Sequence, residues 1–452
     1  MWFQQDDATC HTAQETIDLL RTKFTGHVIS RRGDIHWPPR SCDLTPLDFF
    51  FWGYVKGKVY ANDPQTNPDL KESIRRLIGE IEPTLCEDAE RIQNAGYVAE
   101  THNVVTQDGY ILGVHRISGS KKYPPSVKKP AVLLMHGLLD CSATWVIPSP
   151  EQSLGFLLAD WGFDVWMGNA RGNRYSRGHT KWTTSDKEFW SFSWHEIGVY
   201  DIPAIIDHIL EKTELQKIFY IGHSQGGTSF FVMASERPEY QKKLIASFNL
   251  APAFMSRYLF VLNSGLFFKN FIVIFVRLQK LAEIIGMYEF KPTSDTIRKL
   301  VEVICQNDAA TQPLCSNIIF LMGGFRDKDL NVSLIPSIVQ YDPAGASTLQ
   351  FLHYAQIIKT GNFQKLDYGR ADNLKKYGSA QPPQYNLANI NMPVYLHYGS
   401  NDWMVNTKVC TSFTPSEIYF DPIEYFHMYG RCFYGIFCRR QPFSVLRLGK
   451  WN

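Results

Sequence analysis

The 452-residue chain lacks any long uninterrupted apolar run. Its most apolar stretch, YLFVLNSGLFFKNFIVIFVRLQKL, is cut by Lys269 and Arg277 before the roughly 18 uncharged residues of a membrane-spanning helix accumulate. A buried or amphipathic helix pair is the reading that remains. A secretory leader pattern is also missing, because residues 1–20 carry Asp6, Asp7, Glu15 and Asp18 and no apolar segment of the needed length. Charge of one sign is not in excess: 46 Lys and Arg against 44 Asp and Glu leave +2, which excludes a general pull toward nucleic acid or anionic membrane. Nine cysteines at scattered spacing are no disulfide framework. Cys305 and Cys315, in CQNDAATQPLC, are close enough to clip a short loop in an oxidising compartment. Asn331, in Asn-Val-Ser, is a lone glycosylation candidate and by itself weak evidence for secretion. Internal repeats and low-complexity tracts are absent.

What is present is alternation. After a break near IEPTLCEDAERIQNAGY, strand-like and helix-like segments follow one another regularly. VAETHNVVTQDGYILGVHRI reads as a hairpin turning at Gln107-Asp108-Gly109. PAVLLMHG, FDVWMGN, KIFYIG, LIASFNLAPA and PVYLHYGSND read as strands. EQSLGFLLADWG, EIGVYDIPAIIDHILEKT and TSFFVMASER read as the helices between them. Such alternation predicts an α/β fold with a mostly parallel central sheet. Between about 253 and 385 it lapses into helical and loop-like sequence, an insertion of about 130 residues set above the sheet.

IFYIGHSQGGTSF places Ser224 in Gly-x-Ser-x-Gly, with an apolar strand running in and a helix running out. That context fits a nucleophile elbow, where Gly222 and Gly226 leave room that a Cβ would fill; the bland alternative is a solvated serine in a tight turn. An acyl-transferring serine needs oxyanion donors, and the N–H groups of Gln225 and of Leu138, in LLMHGLLD, are the candidates. His136 reads as structural, as do His195 and Glu196 at a helix start in FWSFSWHEIG. In this arrangement an acid and then a histidine follow the serine. Asp402 ends the strand-like YLHYGSNDWMV, or else is a turn residue, and His427 is the one histidine after it. If a triad exists, elimination makes His427 its base.

YVAETHNVVTQDGYILGVHRI, LLMHGLLDCSATWV, GFDVWMGNARGNRYSRGH, FWSFSWHEIGVYDIPAIID, YIGHSQGGT and YDPAGASTLQFLHYAQIIKTGNFQKLDYG together resemble the acid lipases, the animal gastric and lysosomal lipases with their insect relatives, over about residues 87–405. The resemblance implies an α/β-hydrolase with a helical cap over the site. It implies hydrolysis of triacylglycerols or cholesteryl esters at a lipid–water interface, without cofactor or catalytic metal. Ser224 is then the nucleophile, Asp402 the triad acid, and Leu138 and Gln225 the oxyanion donors. Cys305 and Cys315 fall where the family has a cap disulfide. The implied location is secreted or lysosomal, although the chain as written, lacking a leader pattern, is expected to stay cytosolic. The family pattern ends after NDWMVN, and the tail after about 406 departs from it. There His427 is either the base in a degraded context or part of a tail read out of frame. A lipase-fold protein that binds lipid without catalysis is the alternative reading, and oligomeric state is left open.

Before the break, WFQQDDATCHTAQETIDLLRTKF and ISRRGDIHWPPRSCDLTPLDFFFWGYVKGKVY resemble the C-terminal part of a mariner-type transposase, over about 1–82. This implies a partial RNase H-like fragment preceding the hydrolase at 87–452. Such enzymes hold two metal ions with three carboxylates. Asp6 and Asp48 match two of these, and the first would lie upstream of Met1, so the site is expected to be vestigial. The segment carries ten Lys and Arg against twelve Asp and Glu. That net of −2 argues against a nucleic-acid-binding fusion.

Overall fold

The structure, a computed structural model, describes residues 3–4, 14–23, 28–29, 84–126, 128–252, 288–290, 334–399 and 418–423. The chain forms two compact units, residues 1–85 and 86–452. In the first, strands Phe3–Gln4 and Val28–Ile29 pair in parallel, with helix Gln14–Lys23 between them in sequence. Ile17 and Leu20, one turn apart on that helix, are buried.

The second unit is built on a sheet of nine strands among the described residues. Its eight principal strands are β1 (Val98–Val105), β2 (Tyr110–Gly119), β3 (Ala131–Met135), β4 (Asp164–Gly168), β5 (Ile218–His223), β6 (Leu244–Leu250), β7 (Val394–Gly399) and β8 (Ile418–Ile423). They lie in the order β8-β7-β6-β5-β3-β4-β2-β1, and the two-residue strand Gly178–His179 adds to β2. The antiparallel hairpin β1–β2 forms one edge and joins the sheet antiparallel through β4, whereas β4-β3-β5-β6-β7-β8 are all parallel. The hairpin turns where the sequence predicts it, with Gly109 at φ +99°, a conformation glycine adopts without Cβ strain.

The main helices of this unit are α1 (Thr84–Asn94), α2 (Leu154–Asp160), α3 (Ile202–Thr213), α4 (Gln225–Glu236), α5 (Ile335–Tyr341), α6 (Thr348–Thr360) and α7 (Arg370–Tyr377). Strand periodicity divides the core. Leu133, Trp166, Ile218 and Tyr220 join the residues of α3 and α4 on one face. Val132, Leu134, Val165, Met167, Phe219 and Ile221 join those of α1 and α2 on the other. A parallel sheet covered on both faces explains why these strands read as continuous apolar runs.

Two features go beyond the sequence reading. First, β8 lies in the atypical tail. It pairs with β7 in parallel, from Val394↔Ile418 to Gly399↔Ile423. As the last strand in the order it tolerates Pro422, which has no N–H to give. Second, the described part of the expected 253–385 insertion is mainly α5, α6 and α7, plus a short antiparallel pair of Glu289–Phe290 with Ala346–Ser347. No helix among the described residues is long and apolar enough to cross a membrane. Asp402, His427, Cys305, Cys315, Asn331, Asp6 and Asp48 lie outside the described residues.

Candidate active site

β5 delivers the chain to Ser224, and α4 begins at the next residue. Ser224 has φ +49° and ψ −111°. That conformation costs an L-residue about 1–3 kcal/mol and persists only when its surroundings hold it. They do so from both sides: Ser224 N–H donates to the Leu250 carbonyl at 2.8 Å, and Thr228 N–H donates to the Ser224 carbonyl at 3.1 Å. Glycines make the turn possible. A Cβ on Gly222 would lie 2.7 Å from backbone atoms of Gly226 and Gly227, and one on Gly226 would collide with the Met135 carbonyl oxygen. The start of α4 therefore rests directly on the ends of β3 and β5.

The loop after β3 closes the other side. A Cβ on Gly137 would lie 3.4 Å from Ser224 Cβ, so the loop runs beside the serine. Leu138 and Leu139 follow, both half-buried, and Leu139 is at φ +66°. The Leu139 carbonyl accepts the Ala344 N–H at 2.6 Å. Gln225 is the first residue of α4, so its backbone N–H has no carbonyl one turn back to bond. With the helix dipole, that end of α4 favours negative charge beside Ser224.

His136 sits behind this loop and is structural. Its Nδ1 donates to the Gly137 carbonyl at 2.7 Å, and its Nε2 accepts the Ala170 N–H at 3.1 Å. Burial pushes its pKa down to about 4, keeping the ring neutral. His195 and Glu196 likewise build a helix start. Ser193 Oγ accepts the His195 N–H at 3.1 Å, and Glu196 Oε2 accepts the Ser193 N–H at 2.7 Å. His195 Nδ1 lies 2.9 Å from the Tyr385 hydroxyl.

Three arrangements around the site were not foreseen. Gln225 Nε2 donates to Gln350 Oε1 of α6 at 2.6 Å. Asp140, buried in the loop after β3, meets Asp342; burial first and then that neighbouring acid raise its pKa well above the usual carboxylate range. Arg171, just beyond β4, is buried and ion-paired at 2.6 Å to both Asp108 and Asp201. Burial opposes its charge, and the two carboxylates outweigh burial, so its pKa is raised. STLQFLHYAQII carried a hint of the first, since Gln350, His353, Tyr354 and Ile357 share one helical face. The other two join residues remote in sequence, with no periodic signal.

Ser224, Gln225 and the Gly137–Leu138 loop are thus brought together at the carboxyl ends of β3 and β5. Asp402 follows the end of β7 by three residues and His427 follows the end of β8 by four (402 − 399; 427 − 423).

Two family models match the chain: "Partial alpha/beta-hydrolase lipase region" over residues 89–149, and "alpha/beta hydrolase fold" over residues 130–270. The chain is 46% identical to Lipase 3 of Drosophila melanogaster over 319 residues, 71% of this chain and 80% of that protein. It is 39% identical to Lipase 1 of the same organism, over 70% of this chain and 68% of that protein. It is 36% identical to human lysosomal acid lipase/cholesteryl ester hydrolase, over 77% of this chain and 82% of that protein. With such identity across more than two thirds of its relatives' length, the chain belongs to the acid lipase family of the α/β-hydrolases.

Proposed function

We propose that the chain hydrolyses carboxylic esters of neutral lipids, triacylglycerols or cholesteryl esters, through an acyl-enzyme on Ser224. The observation that carries this is the strained strand-to-helix turn at Ser224, held against the loop of Gly137 and Leu138. In the proposed mechanism Ser224 Oγ attacks the ester carbonyl and passes its proton to His427, which Asp402 orients. The N–H groups of Leu138 and Gln225 receive the oxyanion. Collapse of the tetrahedral intermediate expels the alcohol, which takes the proton from His427. Water activated by the same histidine then releases the fatty acid.

Topology supports this set. β5, β7 and β8 run in the same direction, so their carboxyl ends, which precede Ser224, Asp402 and His427 in the sequence, lie on one edge of the sheet. Ser224→Ala and His427→Ala are each expected to lower turnover of a short-chain ester by at least a thousandfold without unfolding the protein. A parental rate in Ser224→Ala would overturn the serine-hydrolase reading. The tail's departure from the family pattern favours a second reading, a lipid-binding protein with impaired catalysis. Vesicle binding with no ester turnover in the parent chain would select it.

Residues 1–82 are proposed to be a remnant of a mariner-type transposase, with Asp6 and Asp48 as vestigial carboxylates. Their removal is then expected to leave ester turnover unchanged. A lysosomal setting, as the human relative's name carries, or a secreted one would allow a Cys305–Cys315 bridge and a glycan at Asn331. Thiol counting and glycosidase treatment of the expressed chain test both.

A further inference from the structure

Helix α6 is fastened to the nucleophile turn by polar side chains. Ser347 caps it, accepting the Leu349 N–H at 3.2 Å and donating to the Trp190 carbonyl at 2.7 Å. From the next turn Gln350 Oε1 accepts Gln225 Nε2 at 2.6 Å, and both side chains are buried, 2% and 4% exposed. Four residues on, the Tyr354 hydroxyl donates to Thr228 Oγ1 at 3.0 Å, and the N–H of that threonine holds the Ser224 carbonyl. Between them His353 stacks on Trp194 at 3.6 Å. Gln350 and Gln225 are 125 residues apart, on different helices.

We propose that Gln350 is a positioning residue for ester hydrolysis: its amide bond to Gln225 fixes the first residue of α4, and with it the backbone N–H that receives the oxyanion. The inference rests on the ester-hydrolase reading above. Its physical basis is the strain at Ser224. Relaxing φ at that residue rotates the following peptide and turns the Gln225 N–H away from the reacting carbonyl. The Gln225 side chain, anchored at its far end by Gln350, opposes this rotation. Losing the acceptor leaves a buried NH₂ group unsatisfied, which drives the Gln225 side chain out of its place and frees the turn. Because the donor is aimed at an oxygen that develops charge only during reaction, the loss falls on the chemical step and spares substrate binding.

The test uses the full chain and two readouts: turnover of a water-soluble short-chain ester, and the rate at which a fluorophosphonate, whose phosphoryl oxygen needs the same donors, labels Ser224. Gln350→Leu is expected to lower kcat and the labelling rate about ten- to hundredfold, with KM within about twofold. Gln350→Glu keeps an acceptor oxygen and should stay within about threefold of the parent. Gln225→Met removes the same bond from its other end while retaining the backbone N–H, and should match Gln350→Leu. The double variant should lose no more than either single one. Multiplying losses in the double variant, a parental kcat in Gln350→Leu, or equal losses in the Glu and Leu variants would overturn the proposal. If Gln350→Leu fails to fold, Gln225→Met and Gln350→Glu still decide it. A parent chain whose Ser224 resists labelling altogether would overturn the ester-hydrolase reading itself, and this inference with it.

Discussion

Gly222→Ala isolates the packing of the turn at Ser224. Gly222 lies inside β5 with no backbone conformation that forbids alanine, so the only insult is the added methyl. That methyl would stand 2.7 Å from the carbonyl carbon of Gly226 and the nitrogen of Gly227, where ordinary contact begins at 3.4 Å. The start of α4 must therefore retreat from β5 by about 0.7 Å (3.4 − 2.7). Both obstacles are backbone, so no side-chain rotation absorbs the movement. Overpacking of this kind costs about 1–3 kcal/mol. The retreat also carries the Gln225 N–H with it, and a misplacement near 1 Å at a reacting centre costs about a hundredfold in rate. The assay is kcat on a short-chain ester alongside thermal unfolding, with Gly378→Ala as control. Gly378 closes α7 at φ +68° with nothing within 4 Å of its missing Cβ. Alanine there should cost about 1 kcal/mol of stability and no activity. A Gly222→Ala protein with parental kcat and melting would refute the account of the turn.

Asp201→Ala should cost about 3–5 kcal/mol in urea unfolding, because it leaves buried Arg171 with one carboxylate where it had two; a loss below 1 kcal/mol would contradict this role of the Asp108–Arg171–Asp201 triad. His136 should make stability depend on pH. Its folded pKa of about 4 lies below the unfolded value near 6.5, so its contribution is complete above pH 6.5 and is lost as pH falls toward 4, by up to about 3 kcal/mol. Burial raises the carboxyls of Asp140 and Asp201, which act in the opposite sense. The comparison is therefore His136→Gln against the parent, and the variant should lose less stability than the parent as pH falls from 6.5 to 4.5. Identical slopes would exclude this histidine as a contributor.

The elements with strong local signals were legible in the sequence. Gln107-Asp108-Gly109 gave the hairpin, because a positive φ there demands glycine. Ala131–Met135 and Ile218–His223 gave parallel strands, because sheets covered on both faces are apolar on both. The turn at Ser224 was legible for a related reason: its geometry forces glycine two residues before and two after. β8 was not, since Ile418-Tyr419-Phe420 is a short apolar run followed by Asp421-Pro422, which looks like a turn until β7 lies beside it. Gln350, Asp342 and Arg171 were not legible either. Each acts on a residue brought near only by tertiary folding, and a buried polar side chain has the same letter as an exposed one.

The Arg171 triad also bears on how the molecule opens. An antiparallel hairpin at a sheet edge is ordinarily among the first segments to fray, with amides that exchange independently of the core. Here the hairpin tip supplies Asp108, one of two counter-ions to a guanidinium that also lies 4.0 Å from the ring of Tyr110 and bonds Asp201 at the start of α3. Peeling β1 and β2 away would strip that charge of half its compensation while it is still walled off from water. Local fraying is thereby made nearly as costly as opening the parallel core. The amides of the edge hairpin should therefore exchange together with those of β3 and β5, in a single cooperative unit.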